Sequence, residues 1–435
     1  MSAGRIRARR TLGWREPLGV AAGLKDRDGA LALITGGDGQ GRSWVAVEPD
    51  RLRIEEIVQG ALFAPLAGPG LEAGVVGLAS YDAGARAATG PRDGAWPDLM
   101  LARYPAMLAF DHAARTIIAF GWGADASEAG AQVNRAAGWL DLVVEAETPP
   151  PPAAAFPEAA PAQAYVEAVA DVVDRIAAGE LFQANVARAW SGVLNESADP
   201  FDLFLRLART RGSAYGAFWR LGERALVSNS PELFLTLDGT GRLEARPIKG
   251  TRARDADAAR DEALAADLLA SAKDRAENLM IVDLMRNDLA RAAEPGSVRV
   301  ERLFELQTLP TVHHLVSTVV GRARAGVGPA EVLEATFPPG SITGAPKHQA
   351  MKVIAAHEPP RGPWCGSLFV LDEAGALTAS VLIRTVSFVR EAGLWRWRTL
   401  AGAGIVADSD PLAELAETDA KIAAIRDGLV GDQGV

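Results

Sequence analysis

Residues 225–249 read ALVSNSPELFLTLDGTGRLEARPIK. Ala225 to Asn229, Leu233 to Leu237 and Arg242 to Ile248 are short runs of branched and apolar residues, and Asp238-Gly239-Thr240-Gly241 is a turn between the last two. That pattern predicts an antiparallel strand meander. Upstream, Tyr165, Val166, Val169, Val172, Val173 and Ile176 recur at helical spacing, with Gly179 where a helix stops. A strand-like run follows, Leu181 to Trp190, with Gln183 and Asn185 on one face. Downstream, a helix is expected from about Ser271 to Ala292. Ala376 to Arg390 and Leu394 to Leu400 form a long hairpin around Glu391-Ala392-Gly393. A further helix starts near Pro411, capped by Ser409 or Asp410. Helices and antiparallel hairpins without regular βαβ alternation predict an α+β fold.

The rest of the 435-residue chain sets bounds on function. It is 49% hydrophobic and 23% charged, which is ordinary for a folded protein. No stretch has the length of apolar sequence that a membrane span needs. The net charge of −10 argues against nucleic acid as the main partner. Cys365 is the only cysteine, so internal disulfides and thiolate zinc sites are excluded and a cytoplasmic setting is expected. The five histidines are too scattered for a metal cluster. Arg9-Arg10 is followed by no apolar core, so a targeting signal is not expected.

The clearest boundary is TPPPPAAAFPEAAPA, Thr148 to Ala162, whose four consecutive prolines hold the chain extended. It divides residues 1–147 from a C-terminal portion, 163–435, that carries nearly all the chemical signals. In the N-terminal portion, Ala30 to Ile34 and Trp44 to Val47 flank GGDGQG, Gly36 to Gly41. This lacks the endings of phosphate and dinucleotide loops and reads as a hairpin turn. GSITGAPK, Gly340 to Lys347, also misses the phosphate-loop pattern, because His348 stands where Ser or Thr is required.

Several groupings can carry chemistry. Only six of the 45 basic residues are lysine: Lys25, Lys249, Lys273, Lys347, Lys352 and Lys421. A lysine in so arginine-rich a chain points to an amine that arginine cannot replace. With Gly239-Thr240 as a two-residue turn, Lys249 faces Ser230 and Glu232 faces Pro247, so an amine and a carboxyl emerge near one end of a hairpin. A surface ion pair gives the same pattern. With Ala392-Gly393 as a turn, Arg384 faces Ala401, next to Gly402-Ala403-Gly404; an arginine fork beside open N–H groups makes a carboxylate receptor, or simply caps a glycine turn. Glu414, Glu417 and Lys421 share one helix face, and Asp274 and Glu277 share another. Such pairs are usually solvated, but one glutamate from each helix could hold Mg²⁺, which needs one or two carboxylates.

In order along the chain, GELFQ (Gly179 to Gln183), NSPE (Asn229 to Glu232), PIKGT (Pro247 to Thr251) and AENLMIVDLMRNDLAR (Ala276 to Arg291) resemble motifs of the chorismate-utilising enzymes. So do VHHL (Val312 to Leu315), FPPGSITGAPK (Phe337 to Lys347), IRT (Ile383 to Thr385), AGAGIVADS (Ala401 to Ser409) and the segment Glu414 to Lys421. The resemblance spans about residues 160–425. It implies an anthranilate-synthase-like fold of two packed antiparallel sheets with outer helices, whose two halves the proline-rich segment joins. Gln183 stands where water-adding relatives carry lysine, and Lys249 where anthranilate synthases carry alanine. Both resemble the aminodeoxychorismate synthase branch, component I.

For that branch the resemblance implies conversion of chorismate and ammonia to 4-amino-4-deoxychorismate, on the way to p-aminobenzoate and folate. Glu232 would be the general acid at the ring C4 hydroxyl. Lys249 would attack C2, and ammonia would then expel it. Glu277 and Glu417 would bind Mg²⁺, supported by Asp274 and Glu414. Gln183, His314, Ser341, Arg384, Gly402, Gly404 and Lys421 would line the substrate site. Trp364 departs from the tyrosine of several relatives, and no Leu-Leu-Glu-Ser tryptophan-inhibition signature is present. Cys365 lacks G-x-C-x-G surroundings, so ammonia is expected from a separate glutaminase subunit. With Val435 as the last residue, an appended lyase domain is not expected. Within the family the alternative is the anthranilate synthase large component. Outside enzymes, the alternative is a non-catalytic chorismate-binding subunit.

Overall fold

Val75–Ala79 and Leu99–Arg103 are buried at every position, as strands covered on both faces must be. They sit inside one of two large antiparallel sheets in the computed structural model, which describes residues 5–36, 41–57 and 59–432. The first sheet has eleven strands: Ile6–Gly13, Thr116–Gly123, Ala106–Asp111, Arg42–Ala46, Leu31–Ile34, Tyr215–Leu221, Arg224–Ser230, Thr385–Glu391, Leu394–Ile405, Gln183–Val193 and Gly344–Ala345. The second has ten. Ile248–Ala253, Val312–Arg322, Arg242–Ala245, Leu233–Leu237, Leu377–Val381, Ser367–Leu371, Val75–Ala79, Leu99–Arg103 and Arg51–Glu55 follow in order, with Arg299–Thr308 also paired to Val312–Arg322. Each sheet therefore takes strands from both sides of the proline-rich segment.

The sheets pack face to face. Leu31, Met107, Trp219 and Leu226 of the first meet Val76, Leu78, Met100 and Leu368 of the second. Helices cover the outer faces. Pro200–Arg211 and Pro411–Val430 bring Phe201, Phe204, Ile422 and Ile425 against the first sheet. Ala272–Ala290 brings Ile281, Val282, Met285 and Leu289 against the second. Each large side chain buried this way contributes about 1.5–3 kcal/mol. The caps are ordinary: Asp410 accepts from the Leu412 and Ala413 N–H groups, and Ser271 accepts from that of Asp274. Residues 148–161 are pinned along the first sheet. The N–H groups of Asn195 and Ser191 donate to Pro152 and Pro157, and Ala153 N–H donates to Leu429.

Three expectations about strands are corrected. The 238–241 turn holds one more residue than a two-residue loop: Leu237 pairs with Leu243, and Gly241 takes a φ of +82°. Past Ala245 the chain leaves its hairpin partner, and Ile248–Ala253 pairs with Val312–Arg322. Lys249 thus does not face Ser230, which pairs with Tyr215, and Glu232 does not face Pro247. Second, the run 376–390 is two strands, Leu377–Val381 in the second sheet and Thr385–Glu391 in the first, with the crossing at Leu382 to Arg384. Third, Gly402 and Gly404 lie inside the strand Leu394–Ile405, opposite Ala187 and Asn185, and not in a turn. In the glycine-rich stretch 36–41, residues 37–40 fall outside the described residues. The strands flanking it pair with Leu31 opposite Ala46.

Candidate active site

The site begins with a bulge. Ile248 pairs with Val316 but Thr251 with His314, so one extra residue is absorbed between them. Gly250 absorbs it at a φ of +90°, where a side chain would be strained and its Cβ would lie 3.0 Å from Asp274 Cβ. A bulge re-aims its neighbours. Here Lys249 Nζ donates to Glu277 Oε2 at 3.3 Å, on the helix Ala272–Ala290. From the first sheet, a Cβ placed on Gly404 would meet Lys249 Nζ at 3.1 Å and the Gln183 Cδ at 3.2 Å. The amine, the Gln183 amide and this glycine are therefore packed together. Gln183 is fully buried, and neither end of its amide has a hydrogen-bond partner among the described residues. An amide so placed is a binding group awaiting a ligand.

Glu232 stands at the corner between Arg224–Ser230 and Leu233–Leu237. Its N–H donates to Ser230 Oγ at 3.2 Å, and its carbonyl accepts from Val381 at 3.1 Å. Burial pushes its carboxyl up to about 7, opposed by the Ser341 hydroxyl and by the charges of Lys249 and Arg384. A carboxyl there can hold a proton near neutral pH and release it. Arg384 lies at the sheet crossing with a φ of +50°, and its carbonyl accepts from Asn229 N–H at 2.9 Å. Burial pulls its guanidinium below the usual arginine range, and the charge of Glu232 opposes that shift. No carboxylate among the described residues lies within ion-pair distance of it, so its fork is available to an anion. Ser341 is buried in a short helical turn, Gly340–Ile342. His314 Nδ1 shares a hydrogen bond with Thr251 Oγ1 at 2.8 Å, while its Nε2 is buried without a partner among the described residues. Burial, with Arg384 nearby, pulls the imidazole down to about 4, so it is neutral at pH 7 and can accept or donate toward a ligand.

The acidic faces meet across the cleft. Burial works against Glu417, but Lys421, Lys249 and Lys273 outweigh it and hold the carboxyl below its usual range. Glu277 contacts two of the same cations, Lys249 and, at 4.0 Å, Lys273. Shared counter-ions place the two glutamates around one spot. Behind them Glu414 accepts from Ser409 Oγ at 2.7 Å, and Asp274 pairs with Arg252 at 3.1 Å. Lys421 pairs with Glu417 and donates to the Gly402 carbonyl at 2.9 Å. Among the described residues no group of three or more His, Cys, Asp or Glu could hold a metal ion. Two carboxylates facing water are nevertheless a donor set that suits Mg²⁺, which fills its octahedron with water and substrate oxygens.

Residues 38–427 match the family described as chorismate binding enzyme. The chain belongs to that family. It is 40% identical over 361 residues to aminodeoxychorismate synthase component 1 of Klebsiella aerogenes, covering 80% of this chain and 75% of that protein. It is 38% identical over 355 residues to anthranilate synthase component 1 of Thermus thermophilus, covering 79% and 74%. The crystal structure of anthranilate synthase component I from Streptococcus pneumoniae superposes with a TM-score of 0.76 at 26% identity, over 90% of this chain and 94% of that one. The two-sheet architecture with outer helices is thus the fold of this family, and the match reaches well into the N-terminal portion.

Of the thirteen residues singled out in the sequence, eleven fall on the strands, helices and short helical turn just described, while Glu232 and Arg384 sit at the corners where the chain passes between the sheets. Three contributors went unread. Thr251 orients His314, Arg252 neutralises Asp274, and the helix Ala258–Ala270 packs beside them. Thr251 was visible only as the end of PIKGT and Arg252 carried no signal, because their partners lie more than twenty positions away.

Proposed function

We propose that this chain is component I of an aminodeoxychorismate synthase, converting chorismate and ammonia to 4-amino-4-deoxychorismate in p-aminobenzoate and folate biosynthesis. The observation that carries the branch is Lys249. Its amine enters the cleft beside Gln183 and Gly404, within the electrostatic reach of Glu232. Glu232 protonates the C4 hydroxyl, which leaves as water. The amine form of Lys249 attacks C2, and both ring double bonds shift toward C4. Ammonia then adds at C4, the double bonds shift back, and the lysine leaves C2. Two displacements give retention at C4 and split one difficult step into two. The net change is chorismate plus ammonia to aminodeoxychorismate plus water.

Around this chemistry, Arg384, Lys421 and the backbone near Gly402 and Gly404 bind the acidic groups of the substrate. His314 and Ser341 position the ring, and the free amide of Gln183 faces the incoming nucleophile. Glu277 and Glu417 would hold Mg²⁺, with Asp274 and Glu414 behind them; when bound, the metal supplies the positive charge that anchors the ring carboxylate. Ammonia comes from a separate glutaminase. Cys365 is buried with its thiol pushed far up by burial, the opposite of a nucleophilic cysteine. Among the described residues no helix is long and apolar enough to cross a membrane. We place the reaction in the cytoplasm.

Anthranilate synthesis is the second reading, favoured by the similarity to the Thermus thermophilus protein. Incubation with chorismate, Mg²⁺ and ammonium, followed by mass analysis, separates the possibilities. A product retaining the enolpyruvyl group supports the proposal. Anthranilate with free pyruvate overturns it, and chorismate that binds in titration but is recovered unchanged identifies a non-catalytic subunit.

A further inference from the structure

Beneath the site lies a buried ion pair that the chemistry above does not use. Arg361 is 1% exposed and Glu358 5%. Arg361 Nε donates to Glu358 Oε2 at 2.8 Å and Nη2 donates to Oε1 at 2.9 Å, a bidentate fork. The guanidinium stands 4.5 Å from the Tyr81 ring centre and 5.0 Å from that of Trp364, which fixes its plane. Its remaining donors go to main chain. Nη2 reaches the Asn185 carbonyl at 2.5 Å, and Nη1 reaches the Ile342 carbonyl at 3.3 Å. Glu358 Oε1 in turn accepts from Ala187 N–H at 2.7 Å.

These contacts join two segments of the site. Asn185 and Ala187 are on the strand that carries Gln183, and Ile342 is next to Ser341, which touches Glu232. The same segments meet through Asn185 N–H donating to the Thr343 carbonyl at 2.8 Å and through Gly344 opposite Ala184. Stability alone does not require charges here, since well-packed apolar residues often replace a buried ion pair without loss. A planar fork does what apolar residues cannot: it sets the distance between named carbonyls.

We propose that Arg361, held by Glu358, is a positioning residue that fixes the spacing between the Gln183 strand and the Ser341 loop, and so aims the nucleophile at the carbon whose hydroxyl Glu232 protonates. This rests on the function proposed above. Removing Arg361 alone strands a buried carboxylate and can unfold the chain, so the decisive variant is the double exchange Glu358→Gln with Arg361→Met, compared with Arg361→Lys. Thermal unfolding, chorismate titration, ammonia kinetics and hydrogen exchange are measured on the full chain.

The double variant is expected to unfold cooperatively and to bind chorismate within about threefold of the parent. Its kcat/KM for ammonia falls roughly 10- to 100-fold, the scale of a misplaced reacting group, and Arg361→Lys recovers part of the loss. Hydrogen exchange quickens in peptides covering 183–187 and 340–345 and not elsewhere. Unchanged ammonia kinetics, or unchanged exchange in those peptides, overturns the proposal. So does a loss of chorismate affinity in step with the ammonia rate, which is the mark of general damage. If the parent made another product from chorismate, the branch assignment would fail while the variant-to-parent ratio still read the positioning. If it turned nothing over, local exchange alone would decide.

Discussion

At the residue scale, two side chains bear the proposed chemistry. Lys249→Ala removes the nucleophile while leaving the bulge at Gly250 in place. Aminodeoxychorismate formation should fall by at least about three orders of magnitude, the scale of lost covalent or acid–base assistance, or divert toward anthranilate, as read by product mass. Unchanged output removes the covalent role. Glu232 gives a pH prediction whose sign follows from burial. Its carboxyl titrates near 7 in the folded chain against an ordinary 4.5. Between those values the folded protein binds a proton that the unfolded chain has released, so this residue costs stability as pH rises through that window. The cost saturates above pH 7 at on the order of 3 kcal/mol. Glu232→Gln should therefore abolish turnover yet raise the melting temperature at pH 8 more than at pH 5. Equal effects at both pH values would mean that the carboxyl is not held protonated.

At the scale of elements, the strand Leu394–Ile405 brings Gly404 against Lys249 and Gln183. The strand Thr385–Glu391 ends before this stretch, and the pairs with it stop at Val386 opposite Thr399, so the 400–405 edge opens on the cleft. Gly404→Ala adds a methyl group 3.1 Å from the Lys249 amine, at a position whose backbone tolerates a side chain. Activity should drop about tenfold or more through a misplaced amine, while the melting temperature moves by only a few degrees. An active variant would show that the amine works elsewhere. The strand positions, the three long helices and the Ala392-Gly393 hairpin were legible in the sequence because each rests on local signals: alternation, helical spacing, a cap, a turn. The meander was not, since Arg224–Ser230 belongs to the first sheet and Leu233–Leu237 to the second. Nor was the register of Lys249. Whether Pro247-Ile248-Lys249 continues its hairpin or joins Val312–Arg322 depends on a partner strand more than sixty residues away, and period-two alternation is the same in both cases.

At the scale of the molecule, both sheets interleave strands from 6–123 with strands from 183–405. A fragment starting at residue 163 would expose Leu226, Leu368 and Val370, which pack against Leu31, Val76 and Met100 in the intact chain. It should aggregate or unfold without cooperativity, and co-expression with residues 1–162 should restore a soluble complex; a fragment that melts cooperatively alone would refute this. The kinds of side chain the chemistry needs, and their order, belonged to the sequence by itself. One rare lysine, a glutamate after Ser-Pro, a glutamine on a strand face and two acidic helix faces are chemical identities, readable without coordinates. Their convergence was decided only by tertiary structure. A pKa near 7 for Glu232, the two glutamates sharing lysines and the amine lodged against Gly404 all arise where two sheets and two helices close on one cleft, and burial and distance are properties of that packing.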